Sequence, residues 1–336
     1  MTCYTPLVAY RTYCSDSRTY NITFNKDSSD VIGRVKLPCG KCIGCHLDRS
    51  RMWAIRCVHE AQLHDKNCFI TLTFSDSNLS SNASLVKSDF QNFMKRLRKM
   101  FPKKKYGKIG YYHCGEYGDK YARPHHHACL FNFDFPDKVF FKKTSNGDKL
   151  YTSELLQDLW QHKGHCLIGD VTIESAAYVA RYCTKKVKGD FGNKVYKERL
   201  NEYSSCSTKP AIGLEWIKKF CSDVYPHDKC VIDGKLLSVP RYYDKFIEKH
   251  FNDLFCDVKI SREKNLDLLT GDNSLSRLNT RHQVQLLRQK TIVRNFEKIE
   301  DDLYNENLRF KDYDQRCVDH NNLLIEKEMF YEDESF

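Results

Sequence analysis

The stretch from Lys108 to Phe133 constrains the fold more than any other part of the chain. KIGYYHCGE (Lys108–Glu116) and HHHACLFNF (His125–Phe133) are rich in aromatic and apolar residues, and YGDKYARP (Tyr117–Pro124) between them collects turn residues. Two such runs about a turn-rich connection predict a pair of antiparallel strands. Side chains alternate faces along a strand, so His125 and His127 project together while His126, Ala128 and Leu130 point the other way. Glu116 ends the first strand, and pairing across the turn sets its carboxylate opposite the two histidines. A His/His/Glu set with open positions suits a catalytic divalent ion that must still bind a phosphate oxygen. A bare His-x-His is more often a pair of solvated side chains, so the assignment needs a second feature.

Helix Glu174–Val187 (ESAAYVARYCTKKV) supplies it. Ala176, Val179, Ala180, Cys183 and Val187 form its buried stripe, which leaves Tyr178 and Tyr182, four residues apart, as neighbours on another face with β-carbons roughly 5–6 Å apart. Arg181, Lys185 and Lys186 stand beside or near them. A phenol with an ordinary pKa of about 10 attacks phosphate only where the electrophile is polarised and positive charge is at hand. A metal ion and adjacent lysines meet both needs. Two aromatics on a helix usually pack a core, but this helix already has a core face.

LPCGKCIGC (Leu37–Cys45) is the third feature, with Cys39, Cys42 and Cys45 in a C-x2-C-x2-C spacing. Zinc takes four ligands, and Cys57, Cys14, Cys3 or His46 are the candidates to complete the set; Cys57, on the adjoining helix, is the assignment adopted here. An iron–sulfur cluster is a less common use of the spacing. The remaining cysteines, such as Cys129 and Cys183, are expected to be small core residues.

The other segments give a coarse order. A helix is expected around Trp53–His64, a buried strand at CFITLTF (Cys68–Phe74), and a polar loop at Ser75–Ser84. Ser88 is expected to cap a helix with Phe90, Phe93, Leu97 and Met100 inward, carrying Lys95, Arg96, Arg98 and Lys99, and Pro102 stops it. Lys103, Lys104 and Lys105 follow, as a solvated loop or a phosphate contact. LIGDVTI (Leu167–Ile173) is another strand. Beyond Gly189 the chain reads as loop-rich to about Pro240, and residues 280–336 as charged and mostly helical. Strand pairs and helices in this order predict an α+β fold. The expected divisions are 1–65 (Cys-rich), 66–190 (catalytic core), 191–250 (loop-rich extension packed on the core) and 251–336 (charged, helical).

Charge narrows the partner. The 336 residues carry a net charge of +10, but Glu297–Phe336 holds five Lys/Arg against thirteen Asp/Glu, so the body is strongly basic and the tail acidic. Such a body attracts polyanions by long-range field and counterion release, which favours nucleic acid over a neutral metabolite. Candidate DNA contacts are Lys95, Arg96, Lys103, Lys104, Lys105 and Arg181. The tail is expected to shield the basic surface or dock a partner. Mean hydropathy of −0.62 and the lack of a long apolar run argue against a membrane span, and MTCYTPLVAYRTYC lacks the form of a secretory signal. Sixteen cysteines in such a chain are expected to be reduced, in a cytoplasm.

Taken together, LPCGKCIGC, FITLTF, CGEYGDKYARPHHHACLF, IGDVTIESAAYVARYCTKK, SDVYPHD and PRYYD resemble the replication initiation proteins of gokushovirus-type Microviridae bacteriophages, over most of residues 1–250. FITLTF, CGEYGDKYARPHHHACLF and IGDVTIESAAYVARYCTKK match, in order, the motifs of the HUH endonucleases. The resemblance implies a central antiparallel sheet with flanking helices (RRM/ferredoxin-like), His125 and His127 as metal-binding histidines, Glu116 as the third ligand, Mg or Mn as the metal, and Tyr178 and Tyr182 as paired nucleophiles. It implies rolling-circle replication, with a single-stranded and supercoiled viral DNA origin as substrate, host DNA polymerase and helicase as partners, and the host cytoplasm as location. One departure is that His126 fills the position usually hydrophobic. A rival from another class is a non-catalytic, zinc-containing nucleic-acid-binding protein. It explains the charge and the cysteines but leaves the histidine strand and the tyrosine helix idle.

Overall fold

The computed structural model describes residues 3–14, 19–28, 30–118, 121–145, 147–185, 189–225, 227–264 and 274–290, with the backbone alone at 14, 19–20, 181–185, 189–192, 263 and 289–290. In chain order its elements are β1 (Leu7–Cys14), β2 (Thr19–Thr23), β3 (Val31–Leu37), α1 (Ile43–Ala61), β4 (Asn67–Leu72), α2 (Lys87–Met100), α3 (Lys103–Tyr106), β5 (Gly110–Tyr117), β6 (Pro124–Phe131), β7 (Val139–Lys143) and β8 (Lys149–Thr152). There follow α4 (Glu154–Trp160), β9 (Cys166–Gly169), α5 (Ile173–Lys185), α6 (Gly189–Tyr196), β10 (Tyr203–Cys206), α7 (Leu214–Val224), β11 (Cys230–Ile232), β12 (Lys235–Leu237), α8 (Arg241–His250), α9 (Asn252–Lys264) and α10 (Leu275–Lys290). The described residues divide into two compact units, 3–48 with 274–290, and 49–264.

The larger unit is built on a seven-stranded antiparallel sheet in the order β10-β5-β6-β4-β9-β8-β7. Its middle strands are covered on both faces, so β6 is buried without interruption from His126 to Phe131. Ile70, Leu72, Ala128 and Leu130 face one layer, where α2 contributes Phe90, Phe93, Met94 and Leu97 and α4 contributes Leu156, Leu159 and Trp160. Tyr112, Cys114, Cys129 and Phe131 face the other, against Ala54 and Cys57 of α1 and Ala176, Val179 and Ala180 of α5. Alanines at 176 and 180 let α5 lie close on the sheet. The bend leading into β9 is tight: a Cβ at Gly164 would stand 2.4 Å from the Thr73 carbonyl oxygen, so only glycine fits.

The smaller unit holds the three-stranded antiparallel sheet β2-β1-β3 and α10, where His282 stacks on Tyr4 with ring centroids 5.7 Å apart.

The α+β class and the antiparallel sheet agree with the sequence, but several local expectations do not. Ser88 is not a cap: α2 begins at Lys87 after Val86, because Leu85 is buried and its N–H bonds the Tyr117 hydroxyl (3.0 Å), which fixes the chain before the helix. Met100 is exposed and Met94 takes a place in the core. The stretch 189–240 is not loop-rich. It contributes α6, α7, a hairpin, and β10, the strand that pairs with β5 and closes one edge of the sheet. The strands among these, three or four residues long, carry too little periodicity to be seen locally. The C-terminal region is divided as well, since α9 belongs to the larger unit and α10 to the smaller. The acidic tail lies outside the described residues.

Candidate metal and nucleophile site

The register of the central hairpin pairs Glu116 with His125 and Cys114 with His127, while β4, on the other side of β6, sets Thr71 against His127. Glu116, His125 and His127 therefore share one face of the sheet. One carboxylate oxygen, Glu116 Oε1, lies 2.7 Å from His125 Nε2 and 2.9 Å from His127 Nε2. The other, Oε2, is buried and has no hydrogen-bond partner among the described residues.

The hydrogen bonds of the two Nδ1 atoms show what this cluster can hold. His125 Nδ1 meets the Arg123 carbonyl at 3.0 Å. A carbonyl only accepts, so Nδ1 carries the proton, and in the neutral ring Nε2 is a lone pair. That lone pair would face a carboxylate oxygen at 2.7 Å, two acceptors in contact, which requires a cation between or beside them. The cation is either a proton, making His125 an imidazolium, or a metal ion. Burial pushes the charged form of His125 down, but the Glu116 hydrogen bond and charge outweigh it, so its pKa stands above the ordinary histidine value. Burial likewise raises Glu116, and the bonds from His125 and His127 reverse this to leave it lowered. His127 Nδ1 is held by the Thr71 hydroxyl at 2.9 Å, and its ring stacks on Phe69. Each imidazole is thus oriented by a second partner, the usual support for a metal-binding histidine. Three convergent donors and an orphaned buried carboxylate oxygen fit a divalent ion.

Arg123 positions this end of the hairpin. Its guanidinium binds Asp76 and the Phe74 carbonyl (2.7 Å), and its own carbonyl accepts from both Gly118 N–H (2.9 Å) and His125. On the strand before it, Tyr117 N–H donates to Glu202 Oε1 (2.9 Å), whose Oε2 accepts from the Tyr196 hydroxyl (2.8 Å).

Tyr178, on α5, meets the cluster from above. Its hydroxyl is 3.4 Å from Glu116 Oε1, its ring stands edge-on to His127 at 5.1 Å, and it is 39% exposed, so the phenol can reach both the cluster and solvent. Tyr182 lies one turn further along α5, with Arg181 and Lys185 in the same helix; their side chains, and Lys186 altogether, fall outside the described residues.

The other expected site residues are distributed differently. His126 faces away from the cluster, as strand alternation requires, and is fully buried beside Phe74, Phe90 and Trp160, with Nδ1 3.1 Å from His113 Nε2. Cys57 is not with Cys39, Cys42 and Cys45. Its thiol is fully buried in the sheet-facing layer of α1, twelve residues along the helix from Cys45, and Cys3 lies with the other three instead. Lys95 is exposed on α2, which covers the sheet face opposite the histidine cluster. Arg96 on the same helix is tied down, donating from Nε to the Leu159 carbonyl at 2.8 Å. Lys103, Lys104 and Lys105 form an exposed helical turn before β5, and Glu116 lies near the far end of that strand, about 20 Å away at 3.3 Å per residue. None of these five is brought to the cluster. Sequence reasoning missed Thr71, Arg123 and Glu202, and it held Cys3 as one of four candidates to complete the cysteine set without choosing it. Thr71 is visible in FITLTF only once the register with β6 is known, and Cys3 only once the N-terminal segment is placed.

A carboxylate and two histidines on an antiparallel sheet, with a tyrosine of the overlying helix at hydrogen-bond distance, form a candidate metal-and-phenol site in an α+β protein. A family model described as that of replication-associated protein ORF2 matches residues 67–187, the span from β4 to the end of α5. The chain is 38% identical over 234 residues to replication-associated protein VP4 of Bdellovibrio phage phiMH2K, covering 67% of this chain and 72% of that protein. It is 35% identical over 239 residues to replication-associated protein ORF2 of Spiroplasma virus 4 (68% and 73%) and 28% identical over 239 residues to replication-associated protein ORF4 of Chlamydia phage 1 (69% and 59%). No solved structure matches. The chain belongs to the phage replication-associated proteins.

Proposed function

We propose that this protein initiates rolling-circle replication by nicking one strand of its DNA origin with a tyrosine nucleophile. The observation that carries the proposal is the convergence of Tyr178 with Glu116, His125 and His127 on the covered face of the sheet. Glu116, His125 and His127 would hold a divalent ion, Mg or Mn, which when bound supplies Lewis-acid polarisation of the scissile phosphate. The Tyr178 oxygen attacks phosphorus, the bond from phosphorus to the 3′ oxygen breaks, and the products are a free 3′-hydroxyl and a 5′-phosphotyrosyl link. The phenol gives up its proton to water and the departing 3′ oxygen takes one up, while Glu116, whose Oε1 lies 3.4 Å from the Tyr178 hydroxyl, holds the phenol beside the histidines.

Phosphodiester energy is kept in the link, so the same protein can rejoin strands without ATP. Tyr182, one helical turn on, serves as the second nucleophile, and Lys185 and Lys186 supply positive charge to the phosphate. The basic body holds the DNA backbone, and the 3′ end primes a host polymerase working with a host helicase in the host cytoplasm. Among the described residues no helix is long and apolar enough to cross a membrane.

The test is incubation of the protein with supercoiled replicative-form DNA and Mn, followed by denaturing electrophoresis and mass spectrometry. The expected result is a covalent adduct on Tyr178 or Tyr182, lost in the Tyr178→Phe/Tyr182→Phe variant. An adduct on any other residue, or normal nicking by the double variant, overturns the mechanism. DNA binding without any adduct favours the non-catalytic alternative.

A further inference from the structure

The second cluster of metal-ligating side chains lies in the smaller unit, apart from the Glu116 centre and outside the proposed chemistry. The Sγ atoms of Cys3, Cys39, Cys42 and Cys45 all lie within 4.8 Å of one another. Cys42 and Cys3 sulfurs are 3.7 Å apart and Cys39 and Cys45 sulfurs 4.0 Å. A tetrahedral ion with metal–sulfur bonds of about 2.3 Å requires sulfurs ~3.8 Å apart. The four thiols are therefore already near the corners of such a tetrahedron, too far apart for disulfides, which need about 2.05 Å.

Backbone geometry is built around the sulfurs. Gly40, at φ +72°, turns the chain so that Lys41 and Cys42 N–H groups both donate to Cys39 Sγ, at 3.4 and 3.2 Å. The Thr5 hydroxyl adds a third donor to Cys39 (3.3 Å). Cys42 Sγ accepts from Tyr4 N–H and Cys45 N–H, both at 3.4 Å, and Cys3 Sγ accepts from Cys39 N–H at 3.3 Å. A neutral thiol is a weak acceptor, so six donors aimed at three sulfurs are the surroundings of thiolates. Cys45 also sits in the first turn of α1, where unpaired amides favour negative charge.

Energetics point the same way. Among the described residues, the buried cluster that ties the N-terminal segment to the start of α1 consists of these cysteines and Tyr4, with no large aliphatic side chain in it. A patch of this kind gains little from apolar burial and needs a cross-link to hold its shape.

We propose that Cys3, Cys39, Cys42 and Cys45 bind one zinc ion in a closed, structural tetrathiolate site. Full coordination by protein leaves no open position for substrate, so the ion ties residues 3–5 to the 39–45 turn and takes no part in strand cleavage. Zinc is favoured over an iron–sulfur cluster because the sulfurs are spaced for a single ion.

Purified full-length protein, prepared under reducing conditions with zinc and iron both supplied, should contain one zinc per chain by elemental analysis. Exchange of that zinc for cobalt should give the intense visible bands and near-ultraviolet thiolate charge transfer of a four-sulfur tetrahedral site. Cys57→Ser should keep the full spectrum, and Cys3→Ser should lose or alter it. Hydrogen exchange on zinc removal should lose protection in residues 3–14 and 31–45, while β5 and β6 keep theirs. A folded wild-type protein without zinc, iron in its place, or a cobalt spectrum lacking four sulfurs overturns the proposal, whether or not Cys3→Ser folds. A spectrum that depends on Cys57 and not on Cys3 overturns the ligand assignment.

Discussion

Thr71→Val isolates the support of His127, one of the two proposed metal-binding histidines, without touching a proposed ligand. Valine keeps the β-branched shape that suits β4, but it removes the hydroxyl that meets His127 Nδ1 at 2.9 Å. Loss of such a supporting bond costs about 10- to 100-fold in metal affinity, or roughly 1.4–2.7 kcal/mol at 1.36 kcal/mol per tenfold. The stacking of Phe69 on the His127 ring, centroids 5.6 Å apart and planes 13° from parallel, still holds the ring plane. What the hydroxyl controls is which nitrogen faces Glu116, so the loss should fall near the tenfold end. Calorimetric titration with Mn of wild type, Thr71→Val and Thr71→Ser measures this, and the serine variant, which keeps a hydroxyl, should bind close to wild type. Unchanged Mn affinity in Thr71→Val, or an equal loss in Thr71→Ser, refutes the argument that this hydroxyl orients the histidine.

Two further outcomes follow from the same strands. His126→Leu should retain Mn binding while losing on the order of 1 kcal/mol of stability by thermal or denaturant melting, because His113 Nε2 loses its 3.1 Å partner while leucine gains contact with Phe74, Phe90 and Trp160. Lost Mn binding there, with binding retained in His125→Ala, would show that the strand register is wrong. Mn affinity should climb with pH, by at most about tenfold per unit for each proton displaced, until His125 is past its raised pKa, since below it the imidazolium proton occupies the place of the metal. Without metal the sign is opposite for stability: the His125 contribution is complete below the ordinary histidine pKa of about 6.5 and lost as pH rises through the raised one. The Glu116 contribution is present above the ordinary carboxylate pKa and lost as pH falls through its lowered one. Melts in chelator and in Mn across about pH 5–9, the window around the raised His125 pKa, should therefore diverge at the alkaline end. Parallel curves would remove the His125–Glu116 pair from the argument.

The amino-acid sequence by itself determined the elements whose chemistry is local. Strand alternation in HHHACLF places His125 and His127 on one face, the stripe of Ala176, Val179 and Ala180 turns Tyr178 away from the core face of α5, and the C-x2-C-x2-C spacing gathers three thiols. These follow from periods of 2 and 3.6 residues and from turn chemistry, which need no knowledge of distant segments. Tertiary structure alone decided which distant residues complete each group. Thr71 reaches His127 because β4 pairs beside β6, β10 closes the sheet because it lies next to β5, and Cys3 joins the thiols across thirty-six residues of chain, whereas Cys57 faces inward because the helix it rides on packs its apolar side against the sheet. The same cause ties down Arg96: a guanidinium read as a surface charge donates to the Leu159 carbonyl, because α4 packs beside α2. Long-range pairing is set by the joint burial of many side chains, a property of the whole packed chain that no window of sequence contains.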